Sequence, residues 1–425
     1  MSFRTRATVA ALFVFMLTPA AALRAQAPVQ TSSQATAPPP DNDFYAVRVP
    51  AAAGDAQAQF ALANHYFYGL GVPQDYRQAL LWYNQSANQG FAPAQNLLGY
   101  MYQHKFGVPR DYKRALAYYR SAAKQGYALG EYNLGRMSED GVGVKRDYKQ
   151  ALNWYRKAAD QNLPQAEKQV GYFYQCGYGV KQDFAQAHAW YLRAAGHQNS
   201  DAENQLGYLA EEGWGQPKNY DEALSWFYKA AEHGSDDAKE NIGYLFQNGL
   251  GVARDYAKAM YWFVEAAAHG NSDAQNQLGW MYQFGQGVEP DDAKAVTWYR
   301  MSADQGNRHG NDNLYAFEEV LEDRCSGCWE AANSQVTDPA IARAQRWARI
   351  QDLKARIAGL EGDAQNEDDI ANQLEHTGKG KNDAITKIFN AVGSVPAVKN
   401  HMDAAKYREE AARLRGELAQ IENQN

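Results

Sequence analysis

Three histidines, His197, His233 and His269, recur at a step of 36 residues, a ladder that invites a metal site. Imidazole nitrogens bind zinc at about 2 Å, whereas packed helices lie about 8–10 Å apart. Residues supplied once per helical repeat therefore do not easily share one ion. The histidines read instead as cations or polar groups at helix ends. Cys325 and Cys328 form a C-x-x-C, a pattern that serves redox chemistry or half a zinc site. No strand-rich pattern surrounds them and no second pair of close ligands appears. The other reading is a local disulfide, or plain thiols, closing the terminal repeat. Cys176 stands alone in a repeat. Ser121 and Lys124 have the S-x-x-K spacing of penicillin-interacting enzymes, but no S-D-N or K-T-G follows. The segment "TGKGKND" lacks the G-x-x-x-x-G-K-[ST] of a phosphate loop, and neither H-E-x-x-H nor G-x-S-x-G occurs. No nucleophile–base constellation emerges. The expectation is a binding protein, not an enzyme, with no metal and no cofactor.

A second set of residues suits binding. Asn96, Tyr100 and Gln103 are spaced i, i+4, i+7, which places them on one helical face. The same places hold Lys168, Tyr172, Gln175, then Asn204, Tyr208, Glu211, then Glu240, Tyr244, Gln247, then Asn276, Trp280, Gln283. One copy departs, with Tyr132, Arg136 and Glu139. Rings offer flat apolar area and amides offer adaptable hydrogen bonds, a mixture that fits an extended peptide or a glycan chain. The competing reading is that the aromatic ladder fills the spaces between repeats.

These residues are positioned by an internal repeat. Glycines at 99, 135, 171, 207, 243 and 279 keep a constant step, and Ala63 and Tyr315 hold the same place in the first and the partial eighth copy. Asp75, Asp111, Asp147, Asp183, Asn219, Asp255 and Asp291 keep step as well, as do Trp82, Tyr118, Trp154, Trp190, Trp226, Trp262 and Trp298. Each copy reads as two helices. Ala94, Leu98 and Tyr102 make the apolar stripe of a first helix. A G-x-G-V turn ends it, and the Asp caps the second. One copy alone cannot bury its aromatic face, so the copies must stack as a solenoid.

The recurring "LG-x-x-Y-x-x-G-x-G-V-x-x-D-Y-x-x-A-x-x-W-Y-x-x-A-A" resembles the Sel-one-like repeat family, a relative of the tetratricopeptide repeats. The resemblance runs from Gly54 to about Gln305, with a partial copy to about Leu321. It implies an all-α, right-handed solenoid of helix–turn–helix repeats, with first helices lining a concave groove. It also implies protein–protein interaction and the assembly of complexes. The expected function is thus a scaffold or adaptor holding a protein or peptide partner in that groove. Two alternatives stand beside it: a module binding cell-wall glycan or peptidoglycan, and, less favoured, a cell-wall or β-lactam hydrolase, since some exported relatives are linked to penicillin binding.

The ends read differently. Residues 1–27 carry Arg4, Arg6 and Arg24 around an apolar run, with Ala25 and Ala27 in A-x-A register, the pattern of a signal peptide. Periplasmic or extracellular location is therefore expected, with no stable membrane insertion after cleavage. Residues 28–53 read as a flexible linker. Residues 322–425 read as helices, forming either a cap on the open end of the solenoid or a coiled-coil hairpin. The net charge of −7 lacks the basic footprint of a nucleic-acid binder.

Overall fold

The computed structural model describes residues 42–324, 338–378 and 409–421. The signal segment, Cys325 and Cys328 lie outside the described residues. Among those described, every regular element is a helix.

Helix α1 (Asn42–Ala52) leads into seven helix pairs. These are α2 (Ala56–Tyr68) with α3 (Tyr76–Asn88), α4 (Ala92–His104) with α5 (Tyr112–Lys124), α6 (Ala128–Asp140) with α7 (Tyr148–Ala159), and α8 (Pro164–Cys176) with α9 (Phe184–Ala195). Then come α10 (Ser200–Glu212) with α11 (Tyr220–Glu232), α12 (Asp236–Asn248) with α13 (Tyr256–Ala267), and α14 (Ser272–Phe284) with α15 (Asp292–Asp304). A lone first helix, α16 (Arg308–Arg324), makes the partial eighth copy. Helix α17 (Pro339–Gly378) and α18 (409–421) follow.

Local chemistry sets each pair. The repeated Asp caps its second helix: the Asp147 carboxylate accepts from Gln150 N–H at 3.0 Å. Its own N–H donates to Ser138 C=O at 2.8 Å, which pins the start of α7 to the end of α6. First helices end on a left-handed residue, glycine in most copies. Lys105 takes that place in the second copy at φ 65°, a conformation that costs a side chain more than it costs glycine.

The core is one ring per repeat, laid against a glycine in six repeats and against Ala63 in the first. Tyr83, Tyr119, Tyr155, Tyr191, Phe227, Phe263 and Tyr299 are all fully buried. A Cβ on Gly99, Gly135 or Gly243 would sit 2.7 Å from the ring of Tyr119, Tyr155 or Phe263. Glycine at this place leaves room for the ring without displacing it. Each such ring contributes about 1.5–3 kcal/mol of burial.

Two sequence expectations are corrected at the ends. The linker reading of 28–53 fails over 42–52, because Phe44, Val47 and Ala51 form a short apolar stripe that packs on Ala58 and Leu62. The neighbouring prolines hid this helix in the sequence. At the other end, the polar stretch after Gly362 continues α17 to Gly378. Helix α17 does not cover the terminal helix α16, where Tyr315 stays 73% exposed. It lies instead across the side of the last repeats: Arg343 reaches Glu265 at 3.0 Å, Asp338 reaches Lys294 at 3.5 Å, and Trp347 packs over Gly270. Leu353 and Ile357 of α17 then meet Leu414, Leu418 and Ile421 of α18 in one apolar cluster.

Candidate functional site

First helices line one side of the stack. α4 touches α6 and α14 touches α16, while no two second helices come equally close. The second helices therefore splay on the outer side, and the candidate face lies on the inner row.

The structure divides that face into two groups of residues. Asn96, Asn204 and Asn276 are buried, and each accepts a hydrogen bond from the asparagine 37 residues on. The Asn133, Asn241 and Asn313 amides donate at 2.8, 3.0 and 2.8 Å. These asparagines clasp adjacent repeats and are not presented to a ligand. Gln103, Gln175 and Gln283 accept from the buried Tyr119, Tyr191 and Tyr299 hydroxyls at 2.7, 2.5 and 2.6 Å. An unpaired buried hydroxyl is costly, so these oxygens serve the core. Where the ring is Phe263 no hydroxyl needs an acceptor, and Gln247 instead donates to Gln286 at 3.0 Å.

The aromatic members differ. Tyr100, Tyr172, Tyr208, Tyr244 and Trp280 are each half-buried. One side of each packs into the core: Tyr100 stacks on Phe106 with centroids 5.7 Å apart, Tyr208 meets Phe227 edge-on at 5.6 Å, and Trp280 packs on the cluster of Tyr299 and Phe317, with the exposed Phe284 ring 4.3 Å away. The remaining area is open. Each ring is thus wedged between repeats and still presents surface.

The departing copy supplies charge. Arg136 takes the ring position. Burial opposes its charge, but Tyr132, Tyr155, Asp140 and Tyr119 raise its pKa overall, so it stays protonated. Burial pushes Glu139 up while Tyr155 and Gln169 hold its carboxylate by hydrogen bonds. Burial, then Arg136 and Arg110, hold the nearby His104 imidazole down at about 4. Unfolded histidine titrates near 6.5. Between those values the unfolded chain binds a proton that the folded chain refuses, so stability falls as pH drops from about 6.5 to about 4. His104→Gln is expected to remove that part of the acid sensitivity. Urea midpoints at neutral pH and at about pH 4.5 check it; the same acid loss in both proteins would count against it.

The histidine ladder is resolved as polar pairing. His233 Nδ1 lies 2.7 Å from Glu203, His269 Nδ1 3.0 Å from Asp236, and His197 Nε2 3.8 Å from Glu167. Gln125, Gln161 and Gln305 make the equivalent clasp to Gln95, Glu131 and Gln275 elsewhere. Among the described residues no three His, Cys, Asp or Glu converge as metal ligands. Ser121 donates back to Ala117 C=O at 3.0 Å. The sequence missed the asparagine clasp, whose signal is amides 37 residues apart.

The Sel1 repeat model matches seven consecutive segments, 56–91, 92–127, 128–163, 164–199, 200–235, 236–271 and 272–307. The chain belongs to the Sel1 repeat family. It is similar to a solved Sel1 repeat protein from Oxalobacter formigenes, at 34% identity and TM-score 0.55, over 59% of this chain and 100% of that one. It is also similar to a protective antigen of uropathogenic Escherichia coli displaying an SLR fold, at 29% identity and TM-score 0.57, over 88% of this chain and 72% of that one. No curated protein matches. Sel1 repeats mediate protein binding, and proteins built from them are typically scaffolds without enzymatic activity. Among the described residues no helix is long and apolar enough to cross a membrane.

Proposed function

We propose that this chain is a non-enzymatic scaffold that holds an extended segment of a protein partner along its inner row of first helices. The observation that carries the reading is the ladder of half-buried rings, Tyr100, Tyr172, Tyr208, Tyr244 and Trp280, set one repeat apart except where Arg136 intervenes. Adjacent packed helices step by about 8–10 Å. An extended chain rises about 3.3 Å per residue, so roughly every third residue of a bound peptide meets a ring. Rings held by the core lose little freedom on binding, which favours affinity. Arg136, set among the rings, adds a preference for an acidic side chain at that step. The signal-like start of the sequence supports an encounter in the periplasm or outside the cell, and cell fractionation with an antibody to the protein tests that placement.

The experiment is capture from an envelope extract, and separately on insoluble peptidoglycan, by native protein and by the Tyr208→Ala, Tyr244→Ala, Trp280→Ala triple variant. A defined protein retained by the native form and lost by the folded variant is the expected result. Retention on peptidoglycan alone would replace a protein partner with a wall polymer. Capture that the triple variant keeps would remove the rings from the site.

A further inference from the structure

On the outer side, Trp190, Trp226 and Trp262 of the recurring tryptophan row each pack back against the preceding repeat, in the furrow between successive second helices. Three of these indoles carry a cation of their own helix over the ring: Lys157 over Trp154 at 4.3 Å, Arg193 over Trp190 at 4.5 Å, and Lys229 over Trp226 at 4.1 Å. The last furrow, between α13 and α15, is filled differently. Trp298 is only 1% exposed and shares one buried cluster with Ile341 and Ala344 of α17. Met260, Val264 and Met301 pack around the same cluster. Thus α17 shows how a helix seats itself in such a furrow.

The furrow beside it, between α11 and α13, has the matching walls without the helix. Leu224, Tyr228 and Trp262 stand 36 residues before Met260, Val264 and Trp298. Tyr228 meets Trp262 edge-on at 5.7 Å and is 39% exposed. The place taken by Lys157, Arg193 and Lys229 in other repeats is Glu265 here. A carboxylate cannot stack favourably on an indole face, so the helix places no lysine or arginine there, and Tyr228 and Tyr261 meet the Trp262 ring edge-on. Asp221 and Glu232 edge the same outer surface as Leu224 and Tyr228, with Lys229 beside them held over the Trp226 ring. The resident helix carries Arg343, Arg346 and Arg349, and Arg343 already pairs with Glu265. Apolar walls, a half-buried indole that its own helix gives no cation, and a rim richer in carboxylates than in lysine together call for apolar residues flanked by cations.

We propose that the furrow between α11 and α13 is a second docking site, for a basic amphipathic helix of a partner protein. That helix lies alongside α17, sets small or branched apolar residues on Leu224, Tyr228 and Trp262, and brings a lysine or arginine to the Trp262 face. This surface faces away from the inner ring ladder, so it can be occupied independently of it.

The test uses the full chain and, as probe helix, a fluorescent synthetic peptide with the sequence of residues 338–360, read by anisotropy. Saturable binding is expected, weakening at least about tenfold in Tyr228→Glu and with added salt. Tyr315→Glu, at a distant exposed ring, is expected to leave it unchanged. Circular dichroism establishes that the variants fold, and Glu232→Lys replaces Tyr228→Glu should the latter not fold. No saturable binding would overturn the proposal. So would binding that Tyr228→Glu leaves intact, which would mean exchange into the furrow that α17 already fills. Self-association of the chain in sedimentation, lost in Tyr228→Glu, would assign the furrow to a second copy and overturn the partner helix.

Discussion

Gly243→Ala is expected to destabilise the protein by about 2 kcal/mol, although alanine is the better helix former by about 1 kcal/mol. The new Cβ would stand 2.7 Å from two carbons of the Phe263 ring. That ring is fully buried. Overpacking of a filled core costs about 1–3 kcal/mol and displaces the neighbouring helix. The same substitution at Gly416, an exposed site in α18 with nothing within 4 Å of a Cβ, should leave stability equal or raised. Urea midpoints of the two variants against native protein decide it. A Gly243→Ala protein as stable as native would mean that the ring–glycine contact does not set the spacing of the helix pair.

The second large effect is expected at a buried charge. Glu167 is 1% exposed, and Arg193 supplies its cation at 3.0 Å, with His197 at 3.8 Å. The same guanidinium donates to Ala159 C=O at 3.0 Å, tying α9 to α7, and covers the Trp190 ring. Arg193→Ala would leave a carboxylate inside the stack without its main partner. Stripping one member from a wholly buried pair costs about 3–5 kcal/mol. Water reaches part of this guanidinium, so about 2 kcal/mol is expected. Adding Glu167→Gln should recover much of the loss, because the neutral amide no longer needs the cation. A double variant no more stable than Arg193→Ala alone would assign the effect to lost packing on Trp190.

The fold was legible because its signals repeat. A glycine that admits a ring and an aspartate that caps a helix each recur in register, so local chemistry and global stacking point to one answer. What repetition could not reveal was how each polar residue is used. Asn204 and Tyr208 look alike as members of one face. Both reach Asn241, whose amide donates to Asn204 and whose oxygen accepts from the Tyr208 hydroxyl, but Asn204 is buried whereas the Tyr208 ring keeps open area. That distinction depends on how far one repeat is rotated against the next, which no single helix encodes. The C-terminal helices posed the same difficulty. Their apolar spacing was plain, but only the exposed Tyr315 and the buried Trp298 show that α17 leaves the open end and lies along the side.

The inner-face reading stands or falls on affinity for the captured partner, measured by calorimetry on native protein, on the Tyr208→Ala, Tyr244→Ala, Trp280→Ala variant, and on Tyr261→Ala as an outer-face control. Affinity is expected to drop at least about tenfold in the triple variant and to stay unchanged in the control. Equal affinity in all three proteins, or a loss confined to Tyr261→Ala, would contradict binding along the first helices.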